Sequence, residues 1–465
     1  MISRLVYRVA VACALVLPVV AVADTPNGAP AALRPPVPVD ADPKLVFEKY
    51  TLPNGLEVIL SSDKSVPLVA VNVWYHVGSG HETYGRSGFA HLFEHMMFQG
   101  SKHVGDDMHF QILKQIGADG VNGTTNDDRT NYYEIVPSHQ LETALWLESD
   151  RMGYMLDTLT EKSFRNQVDV VRNERRQNYD NRPYGKALFA IGLALYPEGH
   201  PYRYLGIGKH EDLEAASVEN VKNFFKTWYV PANATLTLVG DFDMEEGKRL
   251  VAKWFGGMPA SKKPTPVLVP APRIKASETT VSDDFAKLRQ VSFVWHSPAK
   301  YADGDAELNI VANALAREGT GRLYRELVYS RPLAQRVRVS QSGSSFSGQF
   351  EIEVTLRSEA DLAEVKRIVN EQVSALHRAP LTDKEIARVV AANEASVIRA
   401  LESVFVRSQV MQQYNHYLGD PNRLTWDLDR YRKTSAEKIR ATVASYLAPE
   451  RMVTVITMPT SEAKP

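Results

Sequence analysis

The chain has a single cysteine, Cys13, among its 465 residues. A lone thiol has no partner within the chain, which excludes a disulfide framework and any zinc site built on several thiolates. A surplus of either charge is also missing, since 54 Lys and Arg stand against 55 Asp and Glu. Without such a field there is nothing to draw in nucleic acid or an anionic membrane surface, and no nucleic-acid partner is expected. After residue 23 no stretch approaches the ~20 apolar residues of a membrane span, so no span is expected. Apolar residues make up 44% of the chain, which excludes disorder as a class. The length suits two or three domains of roughly 100–200 residues each.

Residues 1–23 read as a secretory signal peptide. Arg4 and Arg8 stand without an acid, Val9 to Val20 is a short apolar run, and Ala21-Val22-Ala23 has the A-x-A cleavage pattern. Removing it takes Cys13 away and leaves no thiol, which suits an oxidising compartment, most simply a bacterial periplasm. A lipid anchor on Cys13 is the competing reading, but it leaves only Val9 to Ala12 as apolar core. Residues 24–44 form a Pro/Ala-rich leader. Residues 258–275, with Pro259, Pro264, Pro266, Pro270 and Pro272, read as a linker. It separates 45–257 from 276–462, both of ordinary domain size.

The two segments look like distant copies. Strand-like Tyr132 to Val136 precedes a helical pattern from Gln140 to Met155, and then Leu159-Thr160-Glu161-Lys162 opens another helix. In the second segment Phe350 to Val354, Ala360 to Leu376 and Leu381-Thr382-Asp383-Lys384 repeat this order. Thr160 and Thr382 are natural N-caps with acids in the first turn. Strands are expected around the Asn54-Gly55 turn within Tyr50 to Leu60, over Val66 to Val77, and over Ala232 to Leu238. The expected fold is α+β: two homologous domains, each a mainly antiparallel sheet packed with helices.

The chemistry concentrates in Gly88-Phe89-Ala90-His91-Leu92-Phe93-Glu94-His95-Met96-Met97-Phe98. On a helix, His91 and His95 at i and i+4 share a face with Glu94 beside them. Two imidazoles so spaced can hold one zinc ion, and the carboxylate can reach its water without ligating the metal. This is H-x-x-E-H, the inverse of the H-E-x-x-H order. A catalytic zinc takes a third protein ligand, and the helix expected over Glu161 to Gln177 offers one. There Gln167, Val171 and Glu174 fall on one face.

These features resemble the pitrilysin/insulysin family of inverted zinc peptidases, which includes the mitochondrial processing peptidases. The resemblance runs through Asn54-Gly55, Gly88-x-Ala90-His91-x-x-Glu94-His95-Met96, Gly117-Ala118-x-x-Val121-Asn122, Asn131-Tyr132-Tyr133, Val171-x-x-Glu174, His200-Pro201-Tyr202 and Val239-Gly240-Asp241. It implies one zinc ion per chain held by His91, His95 and Glu174, with Glu94 as general base. It also implies that Asn122 and Gly123 lie on an edge strand where an extended peptide substrate adds through backbone hydrogen bonds, with broad specificity.

Two positions depart from the family pattern. Gln167 stands where a second carboxylate is usual, seven residues before the third ligand, so the site lacks one charge. In the second segment, Val328 and Gln335 fall where active members carry an Arg and a Tyr that reach the substrate. Tyr324, Tyr329 and Arg336 are the nearby substitutes. A chain of this length with the zinc motif but without that pair suggests the catalytic subunit of a heterodimer. The partner would be a homologous subunit lacking H-x-x-E-H and supplying Arg and Tyr, with a homodimer as the alternative. A non-catalytic assembly subunit is the competing function, disfavoured by the intact metal motif. His76, His81, His103 and His109 read as surface or satisfied core histidines. The cluster Arg172, Arg175 and Arg176 reads as a solvated or interdomain face.

Overall fold

The computed structural model describes residues 42–270, 272 and 274–461, so the expected signal peptide and most of the leader lie outside the described residues. Six strands form the first sheet: β1 (Glu48–Thr51), β2 (Glu57–Ser62), β3 (Leu68–Tyr75), β4 (Asp119–Thr125), β5 (Thr130–Pro137) and β6 (Ala234–Gly240). Their spatial order is β1-β2-β6-β3-β5-β4, and only β2 and β6 run parallel. The accompanying helices are α1 (Phe89–Met96), α2 (Met108–Gln115), α3 (Leu141–Tyr154), α4 (Glu161–Arg175), α5 (Gly185–Leu195), α6 (His210–Glu214), α7 (Val218–Trp228) and α8 (Met244–Phe255).

The second sheet contains β7 (Ser277–Asp283), β8 (Gln290–Ser297), β9 (Ala334–Gly343), β10 (Gly348–Leu356) and β11 (Val453–Pro459). Its order is β7-β11-β8-β10-β9, with β7 and β11 parallel. The helices of this half of the chain are α9 (Asp305–Ala316), α10 (Arg322–Tyr324), α11 (Leu362–Arg378), α12 (Asp383–Ala400), α13 (Val404–Leu418), α14 (Leu424–Arg432) and α15 (Ala436–Tyr446). The order β7-β11-β8-β10-β9 superposes on β2-β6-β3-β5-β4, with the one parallel pair in the same place. The duplication read from the sequence is therefore present in the topology, as two homologous sheet domains of α+β type.

Local signals explain the shared frame. Thr160 caps α4 by accepting from the Ser163 N–H, and Thr382 caps α12 by accepting from the Glu385 N–H. Both α1 and α9 start after a glycine in the left-handed region, Gly88 at φ 90° and Gly304 at φ 95°. Along β3 the side chains alternate: Val69, Val71, Val73 and Tyr75 enter the core under α1, whereas Ala70 faces the other side.

What covers that other side was not legible from local pattern. Helix α13, from the second half of the chain, lays Val404, Met411 and Tyr414 on Ile59, Ala70 and Val239 of the first sheet. Reciprocally, α5 from the first half lays Ala187, Ile191 and Leu195 on Val294, Val453 and Val455 of the second sheet. Each sheet is thus buried on one face by its own helices and on the other by the counterpart helix of its neighbour. The turns between β4 and β5 and between β9 and β10 also meet. Asp128 accepts from the Ser345 N–H (3.0 Å), the Tyr202 hydroxyl (2.9 Å) and the Tyr417 hydroxyl (2.5 Å).

Candidate active site

Helix α1 has the buried apolar stripe Phe89, Leu92, Phe93 and Met96, at i, i+3, i+4 and i+7. Burying that stripe leaves His91, Glu94 and His95 on the opposite, partly exposed face. No side chain caps the helix from the usual position. Instead the buried Glu82 carboxyl accepts from the N–H groups of Gly88 (2.9 Å) and Ala90 (2.8 Å). Burial pushes this carboxyl up to about 8, although the helix N–H donors oppose the rise. Gly88 also has to be glycine because a Cβ there would meet the Gly208 Cα at 2.9 Å, where the loop before α6 backs onto the helix.

Helix α4 crosses α1 with Phe164, Val168 and Val171 buried and delivers Glu174 from its last turn. Glu174 Oε2 lies 3.2 Å from His95 Nε2 and 3.6 Å from His91 Nε2, and the three donor atoms lie within 4.8 Å of one another. Burial holds the His91 imidazole down at about 4; His95 adds to this and Glu174 opposes it. Burial works against the Glu174 carboxylate, but its hydrogen bond with His95 and the nearby His91 imidazole hold it below the ordinary Glu range. A neutral imidazole and an ionised carboxylate are the forms a metal takes as ligands. Two nitrogens and one carboxylate oxygen, all on partly exposed residues, fit a catalytic zinc, which keeps a further position for water or substrate.

Glu94 does not join the triad. Its Oε2 accepts from the Thr125 hydroxyl at 2.7 Å. Burial raises this carboxyl above the ordinary Glu range, and the Thr125 hydrogen bond opposes the rise. Thr125 ends β4, which pairs with β5 on one side and is the last strand of its sheet on the other. Gly123, on the same strand, is buried against Glu94: a Cβ there would lie 2.9 Å from Glu94 Cγ and 3.1 Å from Phe98 Cε2. Asn122 is exposed on that edge, and Gln167 is buried two turns before Glu174 on α4. Thr125 escapes the motif because it lies 31 residues from Glu94, and Glu82 because it touches the helix only through the backbone N–H groups of Gly88 and Ala90, 6 and 8 residues further on.

The other sequence candidates are structural. Arg172 pairs with Glu214 across to α6, and Arg175 bonds the Gly208 carbonyl while lying near Asp180. These arginines lock the first domain around α4 instead of facing solvent or the second domain. His103 bonds Asp150 at 2.5 Å, and His76 stacks on His416 from α13. His109 is buried next to Glu134 and Glu148 with its Nε2 unpartnered, so it is not the satisfied core histidine expected. His200 stacks on Tyr196, and Tyr202 serves the interdomain contact through Asp128.

With this geometry described, comparison with known proteins is decisive. Residues 57–201 match the model of the Insulinase (Peptidase family M16) domain, and residues 215–393 match that of the Peptidase M16 inactive domain. The chain belongs to peptidase family M16. This is the inverted zinc-peptidase family that the sequence resembles, and its metal triad is intact here as His91, His95 and Glu174. Zinc protease PqqE of Helicobacter pylori is 30% identical over 294 residues, 62% of this chain and 65% of that protein, just under two thirds of its length. A probable mitochondrial-processing peptidase subunit beta of Arabidopsis thaliana is 25% identical over 301 residues, 63% of this chain and 55% of that protein. Among solved structures, a protease from Helicobacter pylori superposes with a TM-score of 0.81 at 24% identity, covering 90% of this chain and all of that one. The periplasmic protease PqqL from Escherichia coli gives 0.75 at 16% identity, with 90% of this chain covering 48% of that one. The two M16 matches together span residues 57–201 and 215–393, with the triad inside the first.

Proposed function

We propose that this chain is a zinc-dependent endopeptidase acting on peptides or small unfolded polypeptides, with His91, His95 and Glu174 holding one zinc ion and Glu94 as general base. The observation that carries the reading is one arrangement: the three partly exposed ligand side chains converge while Glu94, one turn from His91, is turned away onto Thr125 of an edge strand. Zinc at such a site supplies Lewis acidity, polarising a carbonyl and acidifying a water. Glu94 takes the proton of the attacking water and hands it to the departing amine, a role suited to a carboxyl whose burial raises its proton affinity. Asn122 and Gly123 present the open edge of β4, along which an extended peptide adds as a further strand. Main-chain pairing of this kind reads little sequence, so cleavage is broad. Gln167 leaves the α4 face with one carboxylate instead of two, which gives the centre a weaker negative field.

The domain assignment that goes with this reading is a catalytic domain at 45–257 and a homologous domain without the motif at 276–462. The chain acts as one subunit of a pair. Support comes from PqqL, in which this chain matches about half, and from the mitochondrial relative, which is named as a subunit. Val328 and Gln335 leave the family's Arg and Tyr unfilled, and Tyr329 is 63% exposed on the turn after α10, edge-to-face with Tyr324. The sequence of residues 1–23 and the periplasmic setting of PqqL support a periplasmic location. The test is to purify the chain alone and together with a homologous chain that lacks H-x-x-E-H. Cleavage of an unstructured peptide should appear only in the mixture, and full activity of the isolated monomer or homodimer would overturn the paired-subunit reading.

A further inference from the structure

The strand that holds Glu94 in place has a second polar feature on its other face. Thr125 contacts Glu94, whereas the preceding Thr124 contacts Arg129 across the opposite side of the sheet. Arg129 Nη1 donates to the Thr124 carbonyl (2.8 Å) and hydroxyl (2.6 Å), and its guanidinium lies 5.1 Å from the ring centroid of Trp74. Beside it opens a cleft of about 430 Å³ between the β4–β5 turn, the β9–β10 turn and α13. Lys300 reaches the same cleft, its Nζ 5.4 Å from the Tyr301 ring and 5.8 Å from the Tyr417 ring.

Two cations thus face one cleft, and among the described residues neither has a carboxylate within 4.0 Å. Arg129 Nε is buried and has no acceptor. Gln409 accepts on its carbonyl oxygen from Asn72, Trp74 and Asn131, which leaves its amide N–H donors for the cleft. Two acids lie here, Asp127 in the lining of the cleft and Asp128 behind it, and both already accept hydrogen bonds. Asp127 accepts from the Ser79 and Ser344 hydroxyls, and Asp128 from Tyr202, Tyr417 and the Ser345 N–H. The cleft therefore presents two cations and several N–H donors alongside one carboxylate, Asp127, whose oxygens are held by the Ser79 and Ser344 hydroxyls. A largely desolvated guanidinium with no carboxylate in contact is costly, and a planar oxyanion is the group its fork matches best.

We propose that this interdomain cleft is a binding site for a small oxyanion, a carboxylate or a phosphate, held by Arg129 and Lys300. Because its walls come from both domains, a bound anion ties the β4–β5 turn to the β9–β10 turn. The residues of this cleft are distinct from the His91, His95 and Glu174 triad, which lies against the other face of β4.

The test is calorimetric titration of the zinc-loaded chain with inorganic phosphate and, in a separate arm, with succinate, at ionic strength held constant with sodium chloride. Saturable binding in at least one arm is expected, and the arm that binds identifies the class of anion. Lys300→Gln should weaken it about tenfold or more, as loss of one charge-assisted contact implies. Arg129→Gln should do the same. Since Arg129 also holds Thr124, Lys300→Gln keeps the test decisive if the Arg129 variant folds poorly. The anion should also raise the melting temperature of the wild type and not that of Lys300→Gln. No saturable binding of either anion to the wild type would overturn the proposal. So would equal affinity in wild type and Lys300→Gln, because that places the anion on the metal or the general surface.

Discussion

Replacing Thr125 by Val deletes the hydroxyl that donates to Glu94 Oε2 at 2.7 Å and keeps the shape of the side chain. Glu94 is mostly buried, so solvent replaces that donor poorly, and a hydrogen bond to a charged group is worth roughly 1.5–3 kcal/mol. At about 1.36 kcal/mol per decade of rate, full loss corresponds to roughly a 10- to 150-fold fall in kcat/KM. The sign with pH follows from which form the bond favours. Thr125 stabilises the ionised carboxylate against burial, which raises the proton affinity of Glu94. Without it the base becomes protonated at a higher pH, so the acid limb of the kcat/KM profile moves up and activity partly recovers toward alkaline pH. Thr125→Ser restores the donor and should restore both rate and limb. The assay is a pH series on a quenched fluorescent peptide with zinc content matched among the three proteins. Wild-type kcat/KM and an unmoved acid limb in Thr125→Val would refute the positioning of the base by β4.

Other outcomes follow from the same geometry. Gly123→Ala puts a Cβ 2.9 Å from Glu94 Cγ, so activity should fall at least tenfold while stability drops by only about 1–3 kcal/mol, read by denaturant titration. His91→Ala should lower bound zinc, measured by elemental analysis after dialysis, well below one per chain, because only two of the three ligands remain. Glu82 prefers its proton in the fold, at about 8 against about 4.5 unfolded, so its contribution is complete below 4.5 and is lost as pH rises through 8. Glu82→Gln should flatten the decline of unfolding free energy between pH 5 and 8.5, and an equal decline in both proteins would count against this role. Leu195→Ala on α5 should cost about 2–5 kcal/mol of stability even though it lies in the first half and packs on the second sheet.

Much of this was readable from residues in order. His91 and His95 sit one helical turn apart, Thr160 and Thr382 announce their helices, and the alternation over Val66 to Val77 gives a half-buried strand, although the structure buries both of its faces. Each signal is local, and each depends on the 3.6 or 2.0 period. The exchange of α5 and α13 was not readable, because neither helix carries a mark of which sheet it covers; that depends on contacts more than 100 residues away in the chain. Arg172 and Arg175 misled for a related reason. Their partners, Glu214 and the Gly208 carbonyl, are brought to α4 only by the loop that supports α1. Thr125 is an ordinary strand threonine in sequence, and its importance comes from ending beneath Glu94.

The central claim is that His91, His95 and Glu174 hold zinc and that Glu94 moves the proton. Comparing wild type with Glu94→Gln, each assayed for bound zinc and for cleavage of an unstructured peptide in the presence of the homologous partner chain, tests both parts in one measurement. The expected result is one zinc per chain in both proteins and cleavage reduced by at least a hundredfold in Glu94→Gln. Equal cleavage by the two proteins, or a wild type that binds no zinc, would contradict the account.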